Sequence, residues 1–261
     1  MSVYIVSDLH GAVDDLRKAV PEGAAVVLLG DLINFLDYFS MTGILTEVFS
    51  VETVARVVQL RTAGRVEEAR RVMHERSAGR EEEIGGRIGR LVVEQYRTIF
   101  AALPDPSFVI LGNVDNPVTA ADVAVGEPAL HWVDGTVVSI DGERFGFVGG
   151  ALPTPIHAAG EVSAEEMRSK IDALGDCDVL CSHIPPAVPE LCFDTVARRS
   201  ERGSDDLMRY ILDVQPRVAY FGHIHQPLVS SLHVGRTLCL NVGYFRATRR
   251  AWLHRPDPIP G

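Results

Sequence analysis

The feature that most constrains this chain is a repeated junction, in which a short run rich in β-branched residues is followed at once by a polar turn. The runs are VYIVS (3–7), AAVVLL (24–29), SFVIL (107–111), TVVSI (136–140), RFGFVG (144–149), DVLCS (178–182) and RVAYF (217–221). Their length and composition predict strands. Between them lie amphipathic patterns that predict helices: DDLRKAV after the first run, SAEEMRSKIDAL before DVLCS, and SDDLMRYILDV before RVAYF. Ser163 and Ser204 each precede acidic residues, which suits an N-cap at the positive end of a helix dipole. Strands alternating with helices predict α/β layers around sheets.

Residues 32–102 break this rhythm, being rich in Arg and Glu with helical apolar spacing at Val54, Val57 and Val58 and again at Ile88, Leu91 and Val92. Two or three helices are expected here, inserted between the second and third strands. Gly79, Gly85, Gly86 and Gly89 weaken any single continuous helix. Acids and bases interleave, so the charges read as a solvated face, and the insertion offers a surface for a homodimer. A single domain is expected over residues 1–255, with a loose tail at 256–261.

Composition narrows the partners. A net charge of −10 and a pI near 5.4 disfavour nucleic acid and anionic membranes, whose binding needs a basic footprint. Cys177, Cys181, Cys192 and Cys239 form no CxxC pair and read as reduced, buried thiols. No signal-peptide pattern precedes VYIVS and no run approaches the roughly 20 apolar residues of a membrane span. A cytoplasmic protein without a membrane partner is expected.

The chemistry lies at the junctions. Asp8 and His10 follow the first run, Asp31 the second, Asn113 the third, His183 the DVLCS run, and His223 with His225 the RVAYF run. Parallel strand ends converge on one sheet edge, where ligand sites form, so these oxygen and nitrogen donors would meet. Singly, each is an ordinary turn former, helix cap or surface histidine. As an ordered set, capping does not explain them. The adjacent Gly30, Gly112 and Gly222 fit either close backbone approach or plain strand-ending turns.

SDLH, the GD at 30–31, GNVD at 112–115, the SH at 182–183 and GHIH at 222–225 together resemble the calcineurin-like metallophosphoesterase superfamily. The resemblance spans residues 8–225 and implies a four-layer α/β/β/α sandwich with a helical insertion. It implies two transition-metal ions, manganese, iron or zinc: the first held by Asp8, His10 and His225, the second by Asn113, His183 and His223, with Asp31 bridging. A carboxylate can bridge, and neutral imidazole suits borderline metals. The implied reaction is hydrolysis of a phosphate ester by a metal-bridging hydroxide.

One position departs from the pattern. Many members carry a histidine directly after GN, where this chain has Val114; the GN-x-D variant is similar to a branch of small bacterial phosphodiesterases. The general acid is therefore open between Asp115, which can instead hold the GNVDN turn, and His157 in the loop after the RFGFVG run, while a good leaving group or the metal alone needs no acid. Arg198, Arg199 and Arg202, in a loop long enough to overhang the site, and Arg246 are candidate substrate anchors; the loop arginines can equally pair with Glu201 and Asp194. A small phosphate ester, a diester ahead of a monoester, is the expected substrate. A nuclease is an alternative that the acidity disfavours, and a noncatalytic metal-binding scaffold is one of another class.

Overall fold

The computed structural model describes residues 1–155 and 157–256. In chain order the elements are β1 (Val3–Val6), α1 (Val13–Ala19), β2 (Ala25–Leu29), α2 (Ile44–Val48), α3 (Val51–Thr62), α4 (Val66–Ser77), α5 (Glu81–Phe100), β3 (Ser107–Ile110), α6 (Pro117–Val123), β4 (Leu130–Trp132), β5 (Val137–Ile140) and β6 (Glu143–Val148). They continue as α7 (Ala164–Ala173), β7 (Val179–Ser182), α8 (Pro189–Cys192), β8 (Phe193–Asp194), β9 (Arg199–Ser200), α9 (Asp205–Val214), β10 (Val218–Phe221), β11 (Ser231–Val234), β12 (Thr237–Asn241), α10 (Phe245–Thr248) and β13 (Trp252–Leu253).

A five-stranded sheet has the order β13-β1-β2-β3-β4 and a six-stranded sheet the order β11-β12-β10-β7-β6-β5. Strands β1 to β4 run parallel, as do β12, β10, β7 and β6, and the antiparallel strands β13, β11 and β5 lie at edges. Alternation along each strand assigns its two faces. Ile5, Val27, Leu29 and Ile110 of the first sheet meet Phe145, Phe147, Val179 and Tyr220 of the second in one buried layer. The residues between them point the other way: Val6, Val26, Leu28 and Val109 pack on Leu16 of α1 and on Tyr96 and Ile99 of α5. Leu180, Ala219 and Phe221 pack on Met167 of α7 and on Leu207 and Ile211 of α9. The result is the α/β/β/α sandwich expected above.

The helix caps follow the sequence signals, with Ser163 Oγ accepting the Glu166 N–H and Ser204 Oγ accepting the Leu207 N–H. The insertion departs from expectation. It contains four helices, and α5 runs unbroken through Gly85, Gly86 and Gly89. Each glycine costs roughly 1 kcal/mol relative to alanine. The buried stripe of Ile84, Val92, Tyr96, Ile99 and Phe100 offsets that cost, and the glycines lie where an added Cβ would meet open space or only the Arg90 side chain. Strands β4 and β11 to β13 were not anticipated; Leu130–Trp132 and Trp252–Leu253 are too short to show a period. Apart from Pro256, the expected tail lies outside the described residues. Among the described residues no helix is long and apolar enough to cross a membrane, and the four cysteines are free and buried.

Candidate metal centre

Strands β1, β2, β3, β7 and β10 deliver their following loops to one edge of the sandwich. Asp8, His10, Asp31 and His223 all have left-handed backbone, with φ of 55°, 41°, 51° and 66°. Non-glycine residues rarely adopt this conformation, and such strain concentrates where geometry serves a site. Backbone bonds hold it in place: Asp8 N–H donates to Gly30 O at 3.1 Å, His10 N–H to Asp31 O at 2.9 Å and Gly222 N–H to His183 O at 3.0 Å.

Two groups of donor atoms result, Asp8, His10 and His225 in one and Asp31, His183 and His223 in the other, each with its atoms within 4.8 Å of one another. Carboxylates connect them. His10 Nε2 is 3.8 Å from Asp31 Oδ2, His183 Nε2 is 3.6 Å from Asp31 Oδ1, and His225 Nε2 is 3.4 Å from Asp8 Oδ1.

Several observations fit cations here. His183 Nδ1 donates to Leu29 O at 2.8 Å and His10 Nδ1 to Ile33 O at 3.1 Å. A carbonyl can only accept, so in the neutral rings each Nε2 carries a lone pair. For His183 that lone pair faces Asn113 Oδ1 at 3.0 Å, acceptor against acceptor. Asp8 Oδ1 and His10 Nε2 are buried without a hydrogen-bond partner. A divalent ion in each group would satisfy these atoms. The glycines open the space: a Cβ on Gly112 would lie 2.1 Å from Asp31 Oδ1, and one on Gly222 would lie 1.8 Å from Ser7 Oγ and 2.4 Å from Asp8 Oδ2.

The protonation balance agrees. Burial lowers His10 to about 4 and His223 to about 3, aided by His225 and His183 respectively, which keeps both as neutral donors. Asp31 is pushed up to about 7 by burial and by the nearby Asp8 and Asp115 charges, against the pull of His183. Burial opposes the Asp8 charge too, but His225, His183 and His10 outweigh it and hold this carboxyl well below the usual range. Burial likewise opposes protonation of His225, but its contact with Asp8 raises it overall.

The remaining sequence-selected residues fall in different settings. Asp115 is fully buried, its oxygens accepting from the N–H groups of Leu32 at 3.0 Å and Gly112 at 2.9 Å and from Tyr96 Oη at 3.2 Å. It ties the loop after β2 to the loop after β3. His157 is exposed, on a loop joined to the centre where Gly160 N–H donates to Asn113 O at 2.9 Å. Arg198 and Arg202 are exposed. Arg199 pairs with Glu201 at 2.7 Å, and its charge is near enough to help depress His223. Asp194 pairs with no arginine among the described residues; it accepts instead from the N–H groups of Val196 at 2.9 Å and Ala197 at 2.7 Å. Arg246 donates to His10 O at 2.6 Å, Asp37 Oδ2 at 3.0 Å and Thr42 Oγ1 at 3.0 Å, so it clasps the 37–42 turn to the first loop. A cavity of about 330 Å³ lined in part by His10, Asn34, Glu47, Gln95 and Arg246 opens beside them. A larger one, about 680 Å³, lies by Glu143, Asp178 and Arg217 at the starts of β6, β7 and β10, the opposite end from the centre.

Sequence reasoning passed over Asn241, Tyr244, Gln95 and Tyr96. Gln95 Oε1 accepts Asn34 N–H at 2.8 Å, and Tyr244 stacks on His225 with ring centroids 3.9 Å apart. NVGY, which begins on the last residue of β12, has the same strand-then-turn form as the donor-bearing junctions, and that was the available signal.

A two-sheet α/β sandwich with paired carboxylate and imidazole groups at one edge has the layout of a metal-dependent hydrolase. Residues 1–227 match the family model described as calcineurin-like phosphoesterase, and the chain belongs to that family, whose members hydrolyse phosphate esters with divalent metal ions. One solved crystal structure aligns at a TM-score of 0.59 with 16% identity, over 98% of this chain and 99% of the other. TT1561 of Thermus thermophilus aligns at 0.50 with 16% identity, over 97% and 98%. Likeness at this identity is of fold alone. No curated protein matches the chain by sequence.

Proposed function

We propose that the chain hydrolyses a small organic phosphate ester, a diester in preference to a monoester, at a two-metal centre. Asp8, His10 and His225 would hold the first ion, Asn113, His183 and His223 the second, and Asp31 would bridge. The observation that carries this reading is the convergence of lone-pair donors, with His183 Nε2 on Asn113 Oδ1 at 3.0 Å and Asp8 Oδ1 and His10 Nε2 buried without a hydrogen bond. Ions bound there supply Lewis acidity toward the phosphoryl oxygens and lower the pKa of a coordinated water.

The chain's own residues do the rest. Carbonyls of Leu29 and Ile33 fix the tautomers of His183 and His10, and Val114 N–H, donating to Asp31 Oδ1 at 3.0 Å, orients the bridging carboxylate. Asp115 serves as a brace, because its oxygens are taken up by backbone and Tyr96 donors. That leaves His157 as the proposed proton source for the leaving group. Arg199, on the loop tied beside His225 where Thr195 N–H donates to Gln226 O at 2.9 Å, is the proposed anchor for a substrate oxygen. The cavity beside His10 has room for a small organic group but not for a duplex.

The test is kcat/KM of metal-reconstituted protein on a small diester, a small monoester, a phosphopeptide and single-stranded DNA at matched salt, with Asp31→Asn as control. The diester is expected to lead, and Asp31→Asn to lose at least about 100-fold, more than the 10- to 100-fold typical of an outer-shell partner. Preference for DNA or phosphopeptide would overturn the substrate assignment. Full activity in Asp31→Asn would overturn the centre.

A further inference from the structure

The family match ends at residue 227, yet the segment Asn241–Arg246 touches the first donor group from several sides. Asn241 Nδ2 donates to the carbonyls of Gly222 at 3.3 Å and Ile224 at 2.9 Å, which fixes the loop bearing His223 and His225. The N–H groups of Phe245 and Arg246 donate to Ser7 O at 3.1 Å and Asp8 O at 3.2 Å. Between these anchors stands Tyr244, a buried side chain. Its ring lies parallel to His225, at a 6° interplanar angle and 3.9 Å between centroids, and meets His10 edge-on at 90° and 5.5 Å.

The imidazoles of the two donor groups differ in what holds them. Rings that bind metals are usually oriented by a hydrogen bond to the nitrogen away from the ion. His10 has that bond from Ile33 O and His183 from Leu29 O. For His225 no protein hydrogen bond to Nδ1 exists among the described residues, and its Nε2 faces Asp8. The parallel face of Tyr244 packs on this ring and restricts its rotation.

We propose that Tyr244 is a positioning residue for the first metal position, holding His225 by stacking where His10 and His183 are held by backbone carbonyls. The assignment rests on the two-metal reading above. It makes the positions unequal: the first depends on an aromatic ring contributed from beyond the family-matched region, and the second does not. Losing the ring frees His225 and weakens one position, while a ring without the hydroxyl preserves both.

Metal-free wild type, Tyr244→Phe and Tyr244→Leu would be titrated with Mn(II), reading free ion and the spin-coupled pair by electron paramagnetic resonance, with thermal unfolding of each metal-free chain alongside. Wild type and Tyr244→Phe are expected to bind two equivalents and show the coupled signal. Tyr244→Leu should bind one equivalent normally and the other roughly 10- to 100-fold more weakly, leaving an isolated Mn(II) signal. Two unaltered equivalents in Tyr244→Leu, equal weakening of both, or a Tyr244→Phe variant that loses one equivalent would each overturn the proposal; the Phe variant keeps it testable if the Leu variant unfolds. A wild-type chain that takes up no manganese would overturn the two-metal reading and this assignment with it.

Discussion

The Tyr96 hydroxyl donates to Asp115 Oδ1 at 3.2 Å while accepting the Asn116 N–H at 2.8 Å, so one atom of the inserted helix α5 braces the loop that carries Asn113. Next to it, Gln95 holds Asn34 in the loop that follows Asp31. The insertion is therefore part of the framework of the centre. Tyr96→Phe keeps the buried ring and deletes the bridge, leaving the Asn116 N–H without its acceptor. A loss of about 1–3 kcal/mol is expected, the cost of an unsatisfied buried polar group. Urea unfolding of the metal-free chain measures it, and an unchanged midpoint would show that solvent replaces the hydroxyl.

Gly222→Ala tests how closely the β10 loop approaches β1. The added methyl would overlap Ser7 Oγ at 1.8 Å and Asp8 Oδ2 at 2.4 Å, in a place where neither neighbour is a flexible chain end. Overpacking of this kind costs about 1–3 kcal/mol, and here it also displaces a proposed ligand. The melting temperature and Mn(II) affinity should fall together. Retention of both would mean the loops are looser than their hydrogen bonds imply.

Far from the centre, Glu143 Oε2 accepts from His254 Nε2 at 2.9 Å and Glu143 Oε1 from Arg217 at 2.6 Å. Burial raises the Glu143 pKa, but His254 and Arg217 outweigh it and leave the carboxyl below its ordinary value. A depressed acid contributes stability that is present above the unfolded pKa, about 4.3, and lost as pH falls through the folded value. Glu143→Gln should melt below wild type at pH 7, with the gap closing below about pH 4. A gap that widened in acid would mean that Glu143 is held as the neutral acid.

The donor-bearing junctions were legible because sheet physics makes them local: a β-branched run followed by Asp, Asn or His declares both the strand and the edge to which its loop is delivered. Asp8, His10, Asp31, His183, His223 and His225 were brought into two groups from loops as far apart in sequence as β1 and β10. Tyr244 and Tyr96 were not legible, since an aromatic residue in a turn or on a helix face carries the same pattern whether it fills a core or orients a neighbour. The continuity of α5 was misjudged for a related reason. Propensity counts the glycines, but the packing of Tyr96 and Phe100 against β1 to β3 decides the outcome.

Val114→His examines the departure at GN-x-D. The Val114 N–H to Asp31 Oδ1 bond comes from the backbone and survives the substitution, so the Asp31 carboxylate keeps its orientation. What changes is a partly buried side chain packed against the first core, exchanged for an imidazole able to donate a proton. Lost apolar packing should cost about 1 kcal/mol of stability, within the common range for single substitutions. If proton delivery limits the reaction, esters with poor leaving groups should gain, by up to the 100-fold or so at the lower end of general acid catalysis, while activated aryl esters should not. The measurement is the slope of log kcat/KM against leaving-group pKa for both proteins. A shallower slope in Val114→His would identify leaving-group protonation as the function that valine leaves vacant, and a parallel upward shift across the whole series would remove it.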